Sequence, residues 1–206
     1  MEKAIVRTAK NEVGYSGQLY GELVRKSLHL LIALVPLMAS INLRATMFIL
    51  GFGTLSYVFA EHLRMSGRPV FIISNLTILA SRKRDQGYFV LGPVTLGLGA
   101  MLALLLYPST AAAIAIYALA FGDGLASIAG RILGNRRLPF TGGKTLAGSL
   151  TCFLAVAFST YYLTGNLGAT LGIAAAATFF ESLPLGDFDN LVLPVGTGFI
   201  ATSVLF

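Results

Sequence analysis

Between two apolar segments, the stretch FGDGLASIAGRILGNRRLPFTGGKTLAGS from Phe121 to Ser149 carries one carboxylate, Asp123, and four basic residues, Arg131, Arg136, Arg137 and Lys144. Such groups at a bilayer face point to chemistry on phosphates. The turn Thr141-Gly142-Gly143-Lys144-Thr145 opens an apolar segment, so a helix N-terminus is expected there. Free amides and the positive helix end make an anion site, glycines let a phosphate approach the backbone, and Lys144 adds a full charge. This is not a Walker loop, which needs four residues between its first glycine and Gly-Lys. An ordinary basic loop beside a helix cap would read the same way in isolation.

Asp123 is the most demanding residue. Thr110 to Phe121 is only twelve residues, about 18 Å of helix, so the span must continue through the aspartate. A carboxylate there costs at least about 2.5 kcal/mol on insertion scales. It must therefore face a polar cavity, a cation or a partner: either an ion pair with an arginine on another helix, or a metal or nucleotide. Gly122 and Gly124 flank it and would leave backbone open to a ligand.

Two further groups could share the chemistry. Glu181, Asp187, Asp189 and Asn190 cluster in FESLPLGDFDNLVLP, where Pro184 and Gly186 should break the helix. Irregular backbone at membrane depth survives only where it lines protein or water, and hard oxygen ligands suit magnesium, which takes one or two carboxylates plus substrate phosphates. Near the start, Glu22, Lys26 and His29 fall on one helical face, with Arg25 beside them, and Arg25 and Lys26 could grip phosphate. Glu61 with Arg64, and Arg82-Lys83-Arg84-Asp85, read as topology signals.

The elements that position these residues are membrane helices. With 55% hydrophobic and only 12% charged residues, and a mean hydropathy of +0.77, no soluble globular domain is plausible. Seven candidate spans run roughly over 23–41, 45–60, 88–107, 110–130, 146–163, 167–183 and 191–206, the last two being short. With the N-terminus inside, the outer loops carry only Arg44 of the fifteen basic residues. The others, Lys3, Arg7, Lys10, Arg25, Lys26, Arg64, Arg68, Arg82, Lys83, Arg84, Arg131, Arg136, Arg137 and Lys144, lie inside. The carboxylates, Glu2 and Glu12 included, fall toward the same side. The expectation is an all-α polytopic membrane protein of about seven transmembrane helices, N-terminus cytoplasmic and C-terminus outside. It forms one domain over 1–206, with 1–21 a polar cytoplasmic segment whose following span is retained.

The net charge of +6 matches anionic headgroups and a phosphate-bearing ligand, and no nucleic-acid partner is assigned. Cys152 stands alone in an apolar span and reads as packing. The run from Val70 to Ala80 is too short to span and should lie in the interface or dip back, which makes its Asn75-Leu76-Thr77 no glycosylation site. The 23 glycines and many alanines permit close helix approach. No internal repeat is evident, so one sign of a secondary transporter is missing.

Taken together, GELVRKSLH, EHLR, SRKRDQG, the Phe121–Ser149 stretch and ESLPLGDFDNLVLP resemble the CTP-dependent lipid-alcohol kinase family, which includes dolichol kinase, phytol kinase and the fungal diacylglycerol kinase. The resemblance covers most of the chain. It departs in two places: Phe188 precedes Asp189 where paired aspartates are frequent, and Asp85 stands where glutamate is frequent.

The resemblance implies transfer of the γ-phosphate of CTP to a membrane-embedded alcohol, with an isoprenoid alcohol preferred over diacylglycerol and entering sideways from lipid. It implies catalytic roles for Asp123, Lys144, Glu181 and Asp189, with Asp123, Asp189 and Glu181 on Mg2+. Nucleotide or phosphate contacts then fall to Arg25, Lys26, His29, Gly122, Arg131, Gly142, Gly143, Thr145, Ser149 and Asn190. Asp123→Asn and Lys144→Ala should each abolish turnover in a folded protein. Two alternatives stay open: a phosphatidate cytidylyltransferase-like enzyme, disfavoured because no histidine follows His62, and a small-anion transporter. The oligomeric state is not legible.

Overall fold

The computed structural model describes residues 20–81, 85 and 87–206. Glu2, Lys3, Arg7, Lys10 and Glu12, most of the polar N-terminal segment, and Arg82, Lys83 and Arg84 lie outside the described residues. Within them the chain is helical, with no strand beyond an isolated bridge between Arg137 and Thr145.

Helix α1 (residues 20–31) passes through one tight turn, Ile32–Leu34, into α2 (Val35–Met65). Helix α2 breaks at Asn42, whose φ of −154° and ψ of 100° are extended. The Asn42 side chain accepts from the amide of Ala45 at 3.0 Å and so caps the helix that restarts there. Val35 and Leu50 pack in one cluster, and His29 and Tyr57 line one cavity. The two arms therefore run antiparallel about Asn42, as the expected spans 23–41 and 45–60 require. Phe48, Phe52, Leu55 and Phe59 form an outward face of the second arm, with Phe48 72% exposed. An apolar face of that extent belongs against lipid.

Helix α3 (Phe71–Ala80) is the short apolar segment anticipated for the interface, with Phe71 81% and Ile72 70% exposed. Helix α4 (Gly92–Leu106) follows. Helix α5 (Ser109–Tyr117) runs through a widened π turn, Ala118–Asp123, into α6 (Gly124–Ile132), making one continuous rod of 24 residues. Helices α7 (Leu146–Thr164), α8 (Leu167–Ser182) and α9 (Asp189–Leu205) complete the bundle, with a tight turn, Gly186–Phe188, before α9. Among the described residues, four segments are long and apolar enough to cross a membrane: Tyr20–Met65, Ser109–Ile132, Leu146–Thr164 and Gly186–Leu205. The expected third and sixth spans fall on the shorter helices Gly92–Leu106 and Leu167–Ser182.

The α5 rod is the centre of the bundle, with Ala111, Ile114, Ala115, Ile116, Ala118 and Leu119 fully buried. It packs on α4, α7 and α9. Small side chains set these distances. Pro194, inside α9, cannot donate to the carbonyl of Asn190 four residues back. That oxygen lies against α4, where a Cβ on Gly99 would sit only 2.0 Å from it. Only a glycine lets α4 cover the oxygen that the proline leaves unbonded.

Gly99→Ala should therefore push α4 from α9 and lower the midpoint of thermal unfolding in detergent by about 2–10 °C, the range that overpacking of this kind implies. Gly172→Ala, where nothing lies within 4 Å of the added Cβ, should leave the midpoint unchanged or slightly raised. Equal midpoints for Gly99→Ala and the unaltered protein would refute the close contact.

Candidate active site

One end of the bundle gathers the first turns of α1, the π turn and α6, the loop before α7, the end of α8 and the start of α9. Together they enclose a cavity of about 420 Å³, within the range of small-molecule sites. Arg25, Lys26, Arg131 and Lys144 line it, and so do Glu22, Asp123, Glu181 and Asp189, four cations against four carboxylates.

Asp123, Glu22 and Glu181 are held by specific cations. Lys26, 1% exposed, donates through Nζ to Oδ2 of Asp123, itself 6% exposed, and Nδ1 of His29 lies 3.1 Å from the same oxygen. Of the two sequence readings for Asp123, an ion pair is what the structure shows, with a lysine of α1 rather than an arginine. Glu22 is the hub of a second group: Arg25 donates to Oε1, and Arg131 to Oε2 at 2.9 Å. In a third, Lys144 pairs with Glu181 Oε1 at 2.9 Å and donates to the Glu181 carbonyl. Apart from Glu22–Arg25, both on α1, each pair ties together elements distant in sequence. Desolvating these charges is costly, and only mutual pairing makes their burial tolerable.

Among the described residues, three buried polar atoms that belong to cavity residues have no hydrogen-bond partner: Arg25 Nε, Ser149 Oγ and Glu181 Oε2. They are capacity that a polar ligand can use.

The local fold explains the loop. Gly142 and Gly143 adopt φ of +69° and +99°, which only glycine takes without strain, and both line the cavity. Thr145 caps α7, accepting from the Gly148 amide at 3.2 Å. Its hydroxyl is wedged by glycines of α6 and the turn that follows it: a Cβ on Gly130 or Gly134 would approach Thr145 Oγ1 to 2.8 or 2.6 Å. Thr145 therefore serves first as the cap, and Ser149 is the hydroxyl with free capacity. Arg136 and Arg137 belong to the hairpin before α7, where Leu146 donates to the Arg136 carbonyl at 3.0 Å, and neither lines the cavity.

Three expected phosphate contacts do not line this cavity. Gly122 faces α7, where a Cβ would meet Val156 at 3.1 Å and Cys152 at 3.2 Å, and Gly124 faces Leu30 of α1. Both are packing positions, not openings for a ligand. Asn190 bridges α9 to α4, donating to Thr95 Oγ1 at 2.9 Å and Gly92 O at 3.3 Å. His29 reaches the site only through Asp123 and, with Asn190, lines a second cavity.

Among the described residues, no three His, Cys, Asp or Glu side chains group closely enough to hold a metal on their own. Asp123, Glu181 and Asp189 share the cavity without forming a cage. Their donor set fits an ion that takes one or two carboxylates and completes its shell with substrate phosphates, and Glu181 Oε2 is open to such a bond.

Sequence reasoning also missed two features. Glu61 is no mere topology signal: it is 1% exposed, clamps Arg64 through both carboxylate oxygens at 2.7 Å, and accepts from the Val90 amide at 2.9 Å. The spacing of Glu61 and Arg64, three residues apart on a helix, was its only signal. The π turn ending at Asp123 had none, although such turns recur at functional sites.

Fold and site define a polytopic helical membrane protein with a charge-balanced polar cavity at one end of its bundle. Among known proteins, the chain is 30% identical to a chloroplastic farnesol kinase of Arabidopsis thaliana over 95% of its own length and 69% of that protein. It is 29% identical to a probable chloroplastic phytol kinase of Glycine max, over 61% of this chain and 44% of the relative. It is 35% identical to a phytol kinase of a Synechocystis strain, over 44% of this chain and 42% of the relative. The chain thus spans less than half the length of these two phytol kinases. No family model matches the chain, and no solved structure matches it significantly. The chain belongs to the lipid-alcohol kinase family that contains the farnesol and phytol kinases.

The Lys26–Asp123 pair changes the expectation for Asp123. Asp123→Ala leaves a buried ammonium without a counter-charge and should cost roughly 3–5 kcal/mol, visible as a large drop in thermal midpoint in detergent. The double variant Lys26→Met, Asp123→Leu should recover most of that loss. A single variant as stable as the unaltered protein would show that the pair is not buried as described.

Proposed function

We propose that this protein is a membrane kinase that transfers the γ-phosphate of CTP to a prenol-type lipid alcohol. One observation carries the reading: a chain related to farnesol and phytol kinases places Arg25, Arg131, Lys144 and the capped N-terminus of α7 around a single cavity. These are the groups that phosphoryl transfer needs for positioning and charge stabilisation.

The cavity's own charges balance, so a triphosphate can be held only by exchanging partners. Arg25 and Arg131 would move from Glu22, and Lys144 from Glu181, onto phosphate oxygens, with Ser149 and the Gly142-Gly143 backbone completing the cradle. Lys26 would stay on Asp123 Oδ2 and keep α1 fixed. Glu181 and Asp189, with Asp123, would hold Mg2+ with the nucleotide, and the ion would supply neutralisation of the phosphate oxygens. The alcohol oxygen attacks the γ-phosphorus as the bond to CDP breaks, and its proton passes to a cavity carboxylate.

Seven crossings, with the N-terminus and the cavity on the cytoplasmic side and the C-terminus outside, complete the reading. Arg64, in the last turn of α2, and Arg68, just after it, lie on the side of the Glu61 clamp, and Arg44 adjoins the Asn42 reversal at the far end. That distribution agrees with retention of basic residues on the cytoplasmic side.

Protein in lipid vesicles with Mg2+, γ-labelled CTP or ATP, and farnesol, geranylgeraniol, phytol, a polyprenol or diacylglycerol should give labelled prenyl phosphate from CTP. Lys144→Ala should reduce kcat at least about 100-fold, the scale of losing one charge-stabilising donor, while Arg136→Ala, outside the cavity, stays within a few fold. Absence of labelled lipid with every donor and acceptor overturns the reading. Transfer of α-label from CTP to phosphatidate would instead establish the cytidylyltransferase.

A further inference from the structure

A second cavity, of about 310 Å³, adjoins the first between α1, α2, α3 and α4. Its wall is mainly apolar, with Leu28, Ile73, Leu76, Pro93 and Leu96 among its residues. Two of its polar members are already bonded within the wall: Tyr57 donates to Val90 O at 3.0 Å, and Asn190 to Thr95 and Gly92.

The partition between the two cavities is built from the same two short segments. On α1, Glu22 and Lys26 line the polar cavity, Leu28 and His29 the apolar one, and Arg25 both. In the turn before α9 and its first residues, Gly186 and Asp189 line the polar cavity while Asp187 and Asn190 line the apolar one. A molecule in the apolar cavity is thus one side chain away from the ion-paired groups around Asp123. The outer wall is α3. Leu76 lines the cavity and is also 43% exposed, and Phe71, Ile72 and Ile78 on the same short helix are exposed as well. An apolar chain can enter from the bilayer past this one helix.

We infer that this cavity holds the hydrocarbon chain of the prenol acceptor, entering past α3, with its hydroxyl at the Arg25–His29 partition. The assignment rests on the kinase reading for the identity of the occupant, and on geometry for its place. The apolar wall suits a chain that carries no polar group except at one end, and the shared partition brings that end to the phosphate cavity. A third cavity, of about 440 Å³ near Pro36, Leu43, Leu104 and Tyr107, shares no residue with the phosphate cavity and cannot present a hydroxyl to it.

A farnesol analogue with a diazirine on its chain, photolysed with the full-length protein in vesicles, tests this directly. Label should fall on peptides covering residues 71–80 or 92–96, competed by unlabelled farnesol and not by CTP. In kinetics, Leu76→Trp should raise KM for farnesol at least about tenfold, the scale of filling an apolar pocket, with KM for CTP within twofold. Leu76 is partly exposed, so the larger ring can be accommodated without unfolding. Competed label in α3 or α4 without any kinase activity supports the site and defeats the kinase reading. Prenol phosphorylation with label confined to residues 36–43 or 104–113, or an unchanged KM in Leu76→Trp, overturns the site and leaves the kinase reading standing.

Discussion

The ion pair between Lys26 and Asp123 is the constraint on which the rest of the structure depends. A lysine on the first helix and an aspartate in the middle of the fourth expected span can be buried only together, because either charge alone would be stranded in a low-dielectric interior. Their contact fixes α1 against the α5 rod. From that placement follow the approach of Glu22 to Arg131 and the closure of both cavities on α1. The α7 loop is set separately, by the Thr145 cap and the glycines of α6.

The polar cavity is a network of balanced charges rather than a positive basin. A net positive cleft would attract any anion of the membrane surface, including headgroups. A charge-balanced one favours a ligand that offers its cations better partners and brings counter-charge for the carboxylates it displaces. Under the proposed function, selectivity would be built into the resting ion pairs, with phosphate and metal entering together.

Much of this was legible in the sequence, and the pattern of what was not is physical. Hydropathy located the helices because lipid imposes a demand on every residue of a span. The helix N-terminus after the Gly142-Gly143-Lys144 turn and the Asp123 requirement for a polar or charged partner were readable because each follows from a short segment and its local setting. Pairings were not: Lys26 and Asp123 are 97 residues apart, and Glu22 and Arg131 are 109 apart. Gly122 and Asn190 were misassigned for the same reason. A glycine beside an aspartate reads as room for a ligand until Val156 and Cys152 are seen to fill that room, and an asparagine beside an aspartate reads as a ligand until Thr95 is seen to hold it.

The π turn at Ala118–Asp123 acts as a phase shift in the central rod. One added residue per turn advances everything downstream by about 100° relative to an uninterrupted α-helix. Upstream, α5 is buried nearly all round; downstream, α6 turns Asp123, Ser127 and Arg131 toward one cavity and Leu125, Ile132 and Leu133 outward. A single insertion thus lets one continuous helix obey two solvents, and a one-residue deletion there would rotate the polar stripe toward neighbouring helices without changing any side chain of the site.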